Sequence, residues 1–154
     1  MRPTIYIASA AALLSLAACG SSDNVSTLPG TSSSAEQAND LSAQLEAPFT
    51  LKPGQWASVA GTSLRLSFAG VTNDSRCPAN VQCVWQGDAA VALRVSLGGQ
   101  ESQATVHSAN TGTASKDAKV GAYTISLTDV QPQAVAGQTI APSAYRVQLV
   151  VRTK

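Results

Sequence analysis

A single histidine, His107, serves a chain of 154 residues. That scarcity removes most routes to imidazole general-base catalysis and to conventional zinc or copper coordination. Charge is sparse as well: 12% of residues are Asp, Glu, Lys or Arg, and ten basic against nine acidic side chains leave a formal charge of +1. No global field draws such a chain to nucleic acid or to an acidic substrate, so nucleic acid is not an expected partner. Aromatic residues make up only 5%. The abundant Ser, Thr, Gly, Ala and Val suit a small extracytoplasmic β domain, whereas a soluble helical protein carries more Glu, Lys and Leu. The sequence also lacks a Gly-x-Ser-x-Gly elbow, a phosphate-binding glycine loop and the Asp/Asn ladder of a calcium site. No catalytic residue, cofactor or metal site is assigned, and His107 reads as a strand-surface residue.

What is present begins with an address. The first residues read MRPTIYIASAAALLSLAAC, with a cation at Arg2, an apolar run from Ile5 to Ala18 and small residues before Cys19. The run is short for a membrane span and has the plan of a secretory signal peptide over residues 1–18. Leu16-Ala17-Ala18-Cys19 resembles the lipobox of bacterial lipoproteins. The resemblance implies that Cys19 is lipidated, becomes the first mature residue and anchors the chain to a membrane of the cell envelope. Gly20 follows Cys19, and the lipoprotein sorting pattern then implies the outer membrane, facing the periplasm, in a host with two membranes. With Cys19 spent on lipid, two cysteines remain, in a compartment where disulfides persist.

Residues 19–46 read as a flexible linker rich in Ser, Thr, Gly and Asn, with too few bulky apolar groups to offset the entropy of ordering. Its charge is one-signed: Asp23, Glu36, Asp40 and Glu46 occur without a Lys or Arg. Within it, Ala38, Leu41 and Leu45 fall at helical spacing behind Ser34 and Gln37, which are arranged as a capping box, so a marginal helix is expected there.

From residue 47 to residue 154 the pattern changes to alternation. Phe49 and Leu51 precede a Pro53-Gly54 turn, Trp56 to Val59 read as a short edge strand, and Leu64, Leu66 and Phe68 alternate with polar residues. Val91, Leu93, Val95 and Leu97 lead into Gly98-Gly99 and then Ser102 to His107, a hairpin signal. Tyr123, Ile125 and Leu127 form another run, and Tyr145, Val147, Leu149 and Val151 the last. Strands separated by loops predict an all-β fold with one core, a single antiparallel β-sandwich, with a small barrel as the alternative. The long segment from Gln131 to Ala144 could cross between sheets.

The chemistry of the domain is concentrated in Asp74 to Gly87, DSRCPANVQCVWQG. Cys77 and Cys83 enclose five residues, a spacing that allows a small disulfide-closed loop and departs from zinc knuckles and redox motifs. Asp74 and Arg76 are either a charged pair displayed on that loop or a local turn cap and its partner. Trp85 follows Cys83 by two, so on a strand both face the core; the alternative is an exposed ligand platform. Trp56 is a second candidate for an exposed aromatic. The arrangement of DSRCP followed by CVWxG resembles a motif of small bacterial secreted or lipid-anchored β domains without an assigned activity. These features together read as a lipid-anchored, monomeric envelope protein acting by binding or structural interaction with an envelope protein or polysaccharide. An inhibitor of a hydrolase using the Cys77 to Cys83 loop, and an enzyme or metal-handling protein, are the alternatives.

Overall fold

The structure, a computed structural model, describes residues 40–154. The expected signal peptide, Cys19 and the linker through residue 39 lie outside the described residues. Nine strands follow: β1 (Asp40–Ala43), β2 (Pro48–Leu51), β3 (Trp56–Val59), β4 (Leu64–Asp74), β5 (Ala89–Leu97), β6 (Gln100–His107), β7 (Asp117–Val120), β8 (Tyr123–Gln131) and β9 (Arg146–Thr153), with one 3-10 turn at Pro142–Ala144. They form a five-stranded sheet in the order β1-β3-β4-β5-β6 and a four-stranded sheet in the order β2-β9-β8-β7. All neighbours are antiparallel except β1 and β3. The sheets remain two, so the sandwich holds and the barrel does not.

Alternation explains which face each strand turns inward. Leu64, Leu66 and Phe68 of β4, Ala89, Val91, Leu93 and Val95 of β5, and Val147, Leu149 and Val151 of β9 are each at most 1% exposed and share one core. Each larger aliphatic side chain so buried contributes about 1.5–3 kcal/mol. A strict period of two would carry the inward face of β8 from Ile125 and Leu127 to the carboxylate of Asp129. Instead the register with β9 shifts between Leu127 and Asp129, and Val130 turns inward at 3% exposure. One extra residue in the strand, a bulge, thus spares a buried charge.

Leu97 pairs with Gln100, leaving Gly98 and Gly99 as a two-residue loop with φ of +58° and +84°. Both angles suit the turn that matches the twist of flanking strands, and glycine adopts them freely.

Several expectations are corrected. Residues 40–43 are a strand, not part of a helix or a free tether, and the sheet begins at Asp40 rather than at Ala47. Leu41 and Leu45 suit helical spacing with Ala38 and also period two with Ala43, and pairing with β3 decides between them: Ala43 is 1% exposed and the two leucines pack against the core. Two linker acids consequently join the domain, since Asp40 lies 3.0 Å from Arg65 and Glu46 lies 3.5 Å from Arg152. Strand β3 is not an edge, because β1 covers it. Strand β7 lacked a legible pattern in the sequence. The Gln131 to Ala144 connection joins β8 to β9 within one sheet instead of crossing between sheets.

Candidate functional site

The β4–β5 hairpin does not end where its regular ladder ends. Beyond Asp74 and Ala89 the two chains stay paired, with the Ser75 N–H donating to the Asp88 carbonyl at 2.7 Å and the Cys77 N–H to the Gln86 carbonyl at 2.9 Å. The backbones run so close that a Cβ built on Gly87 would lie 1.9 Å from the Ser75 carbonyl oxygen, and Gly87 itself has φ of +70°. The glycine of CVWQG is therefore required by the approach of DSRC. The Cys77–Cys83 disulfide, with Cα atoms 5.9 Å apart, then closes the tip.

The base of this loop is clamped to the other sheet. Arg76 donates from Nε to Asp74 Oδ1 at 2.8 Å and from Nη2 to Asp74 Oδ2 at 2.7 Å, a bidentate pair. Its remaining donors reach the carbonyls of Val130, at the end of β8, and Pro132, the latter at 2.9 Å. The Tyr145 hydroxyl, just ahead of β9, donates to Asp74 Oδ2 at 3.0 Å. Asp74 also accepts from the Arg76 N–H at 3.2 Å, the local cap that its spacing allows. The pair is largely enclosed, with side chains 12% and 14% exposed, and its charges join the two sheets. Burial alone would raise the Asp74 carboxyl, but the hydrogen bonds from Arg76 and Tyr145 and the guanidinium charge hold it below the ordinary carboxylate value. Burial, reinforced by the bond to Asp74, pushes the Tyr145 hydroxyl up.

The tip is fastened too. Ala79 N–H donates to the Ala134 carbonyl and Ala136 N–H to Asn80 Oδ1, each at 2.8 Å, so the disulfide-closed segment lies along the β8–β9 connection.

Against this tied-down frame, three apolar side chains stand out: Val81 is 47% exposed, Trp85 82% and Val84 fully exposed. The expectation that Trp85 packs toward the core fails because residues 81–88 are not a strand, so period two does not apply to Cys83 and Trp85. Trp85 instead borders an open cavity of about 520 Å³ with Ser75, Gln86, Gly87, Asp88 and Thr111. Trp56 does not join it. That ring sits half-buried on β3 with the Arg65 guanidinium 5.1 Å above its centroid, a cation–π contact on the sheet.

Beside the cavity, the β5–β6 register brings Asp88 and His107 together. Ala90 faces His107, so Asp88 is a diagonal neighbour, and His107 Nδ1 lies 2.6 Å from Asp88 Oδ2. Asp88 Oδ1 accepts from Ser108 Oγ at 3.2 Å and from the Ala109 N–H at 3.1 Å. Burial raises the Asp88 carboxyl, and these donors outweigh it and leave the group below its ordinary value. A serine, a histidine and an aspartate are thus adjacent, but the serine hydroxyl donates to the aspartate and accepts from the Ala89 N–H, so it is not the partner of the imidazole that a nucleophile relay needs. Sequence reasoning missed the Asp88–His107 pair, which the hairpin register could have supplied. Among the described residues, no three His, Cys, Asp or Glu side chains group as a metal site requires, and no helix is long and apolar enough to cross a membrane.

Comparison with protein-family models, with curated proteins and with solved structures returned no significant match.

Proposed function

We propose that the chain is a lipid-anchored cell-envelope protein whose disulfide-closed β4–β5 loop is a binding element. One observation carries the binding half: Val84 and Trp85, the most exposed large apolar side chains among the described residues, sit on a loop that a disulfide and the Arg76 clamp already hold still. An apolar side chain left in water on a mobile loop gains little on binding after ordering is charged against it. On a loop ordered in advance most of that cost is already met. The anchoring half rests on the LAAC sequence at residues 16–19. The protruding apolar tip also fits the cleft-entering loop of an inhibitor, and the same experiment separates the two.

Full-length protein and a Trp85→Ala variant, each used to capture partners from solubilised envelope, test the binding half. We expect an envelope component retained by wild type and lost from the variant while both give the same β spectrum. A hydrolase recovered and inhibited would select the inhibitor reading, and identical profiles would remove the loop from the binding surface. For the anchor, radioactive fatty acid should label wild type and not Cys19→Ala; unlabelled wild type would end the lipoprotein reading.

A further inference from the structure

We infer that the cavity beside Trp85 is a saccharide site that seats one neutral sugar ring against the indole face. The inference rests on the reading of the stapled loop as a binding element and names its ligand class. A cavity of about 520 Å³ falls in the range of small-ligand pockets. The large apolar side chains left exposed among the described residues, by contrast, are confined to one loop, whereas a stable protein–protein interface takes about 800 Å² and some 20–30 residues from each partner.

The lining sets the ligand's chemistry. Among the described residues Asp88 is the one charged group of the lining and no Lys or Arg borders it, so no basic side chain there recognises a phosphate or carboxylate. A cation over the Trp85 face would call on Asp88 as counter-charge, but that carboxylate already receives His107, Ser108 and the Ala109 N–H. What remains free is uncharged. The Gln86 amide offers two donors and an acceptor, the Thr111 hydroxyl offers one donor and two acceptor sites, and neither side chain is engaged by another described residue. An exposed indole, an amide and a hydroxyl lining one cavity match a pyranose: an apolar C–H face for the indole and equatorial hydroxyls for the amide and the hydroxyl. Ser75 does not belong to the recognition set, because its hydroxyl already bonds the Asp88 backbone on both sides.

The full-length chain in detergent, carrying Trp56→Phe so that Trp85 is the sole tryptophan, provides the probe. Cellotriose, maltotriose and tri-N-acetylchitotriose are titrated separately while the emission of Trp85 is read. We expect at least one to change it saturably with Kd of about 1 mM or tighter, and Gln86→Ala to weaken that binding by about tenfold. Calorimetry on Trp85→Ala and Trp85→Phe should show binding lost in the first and partly kept in the second, with unchanged β spectra. No response from any of the three sugars at about 20 mM would overturn the saccharide site, as would saturable quenching by tetramethylammonium alone. If the envelope capture nevertheless retains a protein through Trp85, the binding loop stands and only its ligand class falls.

Discussion

Arg76 grips the carboxylate of Asp74, two residues behind it, through Nε and Nη2 at 2.8 and 2.7 Å, and spends its other donors on the far sheet. A pair so close in sequence could have been a surface ornament worth little. Its enclosure and its bonds to Val130 and Pro132 make it the fastening between the stapled loop and β8.

Removing the guanidinium should therefore cost more than a surface pair would. Arg76→Ala strands an enclosed carboxylate with only Tyr145 and backbone to satisfy it, and breaking such a pair costs about 3 kcal/mol. Arg76→Lys keeps the charge but lacks the fork that holds Asp74 and two carbonyls at once, so it should rescue less than half of the loss. Urea denaturation checks both; a loss below about 1 kcal/mol for Arg76→Ala would show the clamp to be incidental.

Acid should loosen the same end of the molecule. Asp74 and Asp88 both sit below their ordinary value in the fold, so the stability they lend is present above the unfolded carboxylate pKa of about 4 and is lost as pH falls through their folded values. Tyr145 is raised, so its share is present below about pH 10 and is lost as pH rises through its folded value. Melting temperature followed from pH 7 to pH 2 should fall below pH 4. Asp74→Asn should start lower at pH 7 and lose less on acidification, and parallel curves for the two proteins would exclude Asp74 from the acid response.

Much of this architecture is written locally. Val91 to Leu97 and the Gly98-Gly99 pair specify a hairpin because alternation and turn chemistry agree there. Once that register is granted, Asp88 and His107 follow by counting. Other features leave no such trace. The β8 bulge that exchanges Asp129 for Val130 is a decision about burial, invisible to a period-two reading. Leu41 and Leu45 suit a helix with Ala38 and a strand with Ala43, and only pairing with β3 settles the matter. Arg76 binds backbone carbonyls of the opposite sheet, and a carbonyl has no residue identity to read. Trp85 reads as an anchor only if Cys83 lies on a strand; residues 81–88 form none, and Trp85 is left exposed.

The disulfide should stabilise the domain without redox work. Seven residues span the closed segment counting both cysteines, which are six apart in sequence, and loop entropy assigns such a closure about 2.4 kcal/mol at 25 °C. Cys77→Ser/Cys83→Ser should melt several degrees lower and keep its β spectrum, since no residue of the buried core cluster lies between Ser75 and Asp88. Trp85 emission should respond more to added denaturant at low concentration in that variant, because the tip frays before the sandwich. A double variant as stable as wild type would mean that the Arg76 clamp and the Ala79–Ala134 bond hold the loop without help.

Two glycines with similar backbone angles offer the sharpest test of how the loop is built. Gly98 has φ of +58° and open space where a Cβ would go, so Gly98→Ala carries only the strain of a left-handed residue, about 1 kcal/mol. Gly87 has φ of +70°, but its Cβ would lie 1.9 Å from the Ser75 oxygen and 2.9 Å from the Arg76 Cα. Backbone cannot swing aside as a side chain can. The two chains must part, breaking the Ser75–Asp88 and Cys77–Gln86 bonds and dragging Arg76 from its carbonyls, for a total loss of about 3 kcal/mol or more. Hydrogen exchange should localise the damage, with the Ser75 and Cys77 amides losing protection in Gly87→Ala while the β5–β6 ladder keeps it. Equal effects of the two substitutions would show that the close approach at Gly87 is not what shapes the site.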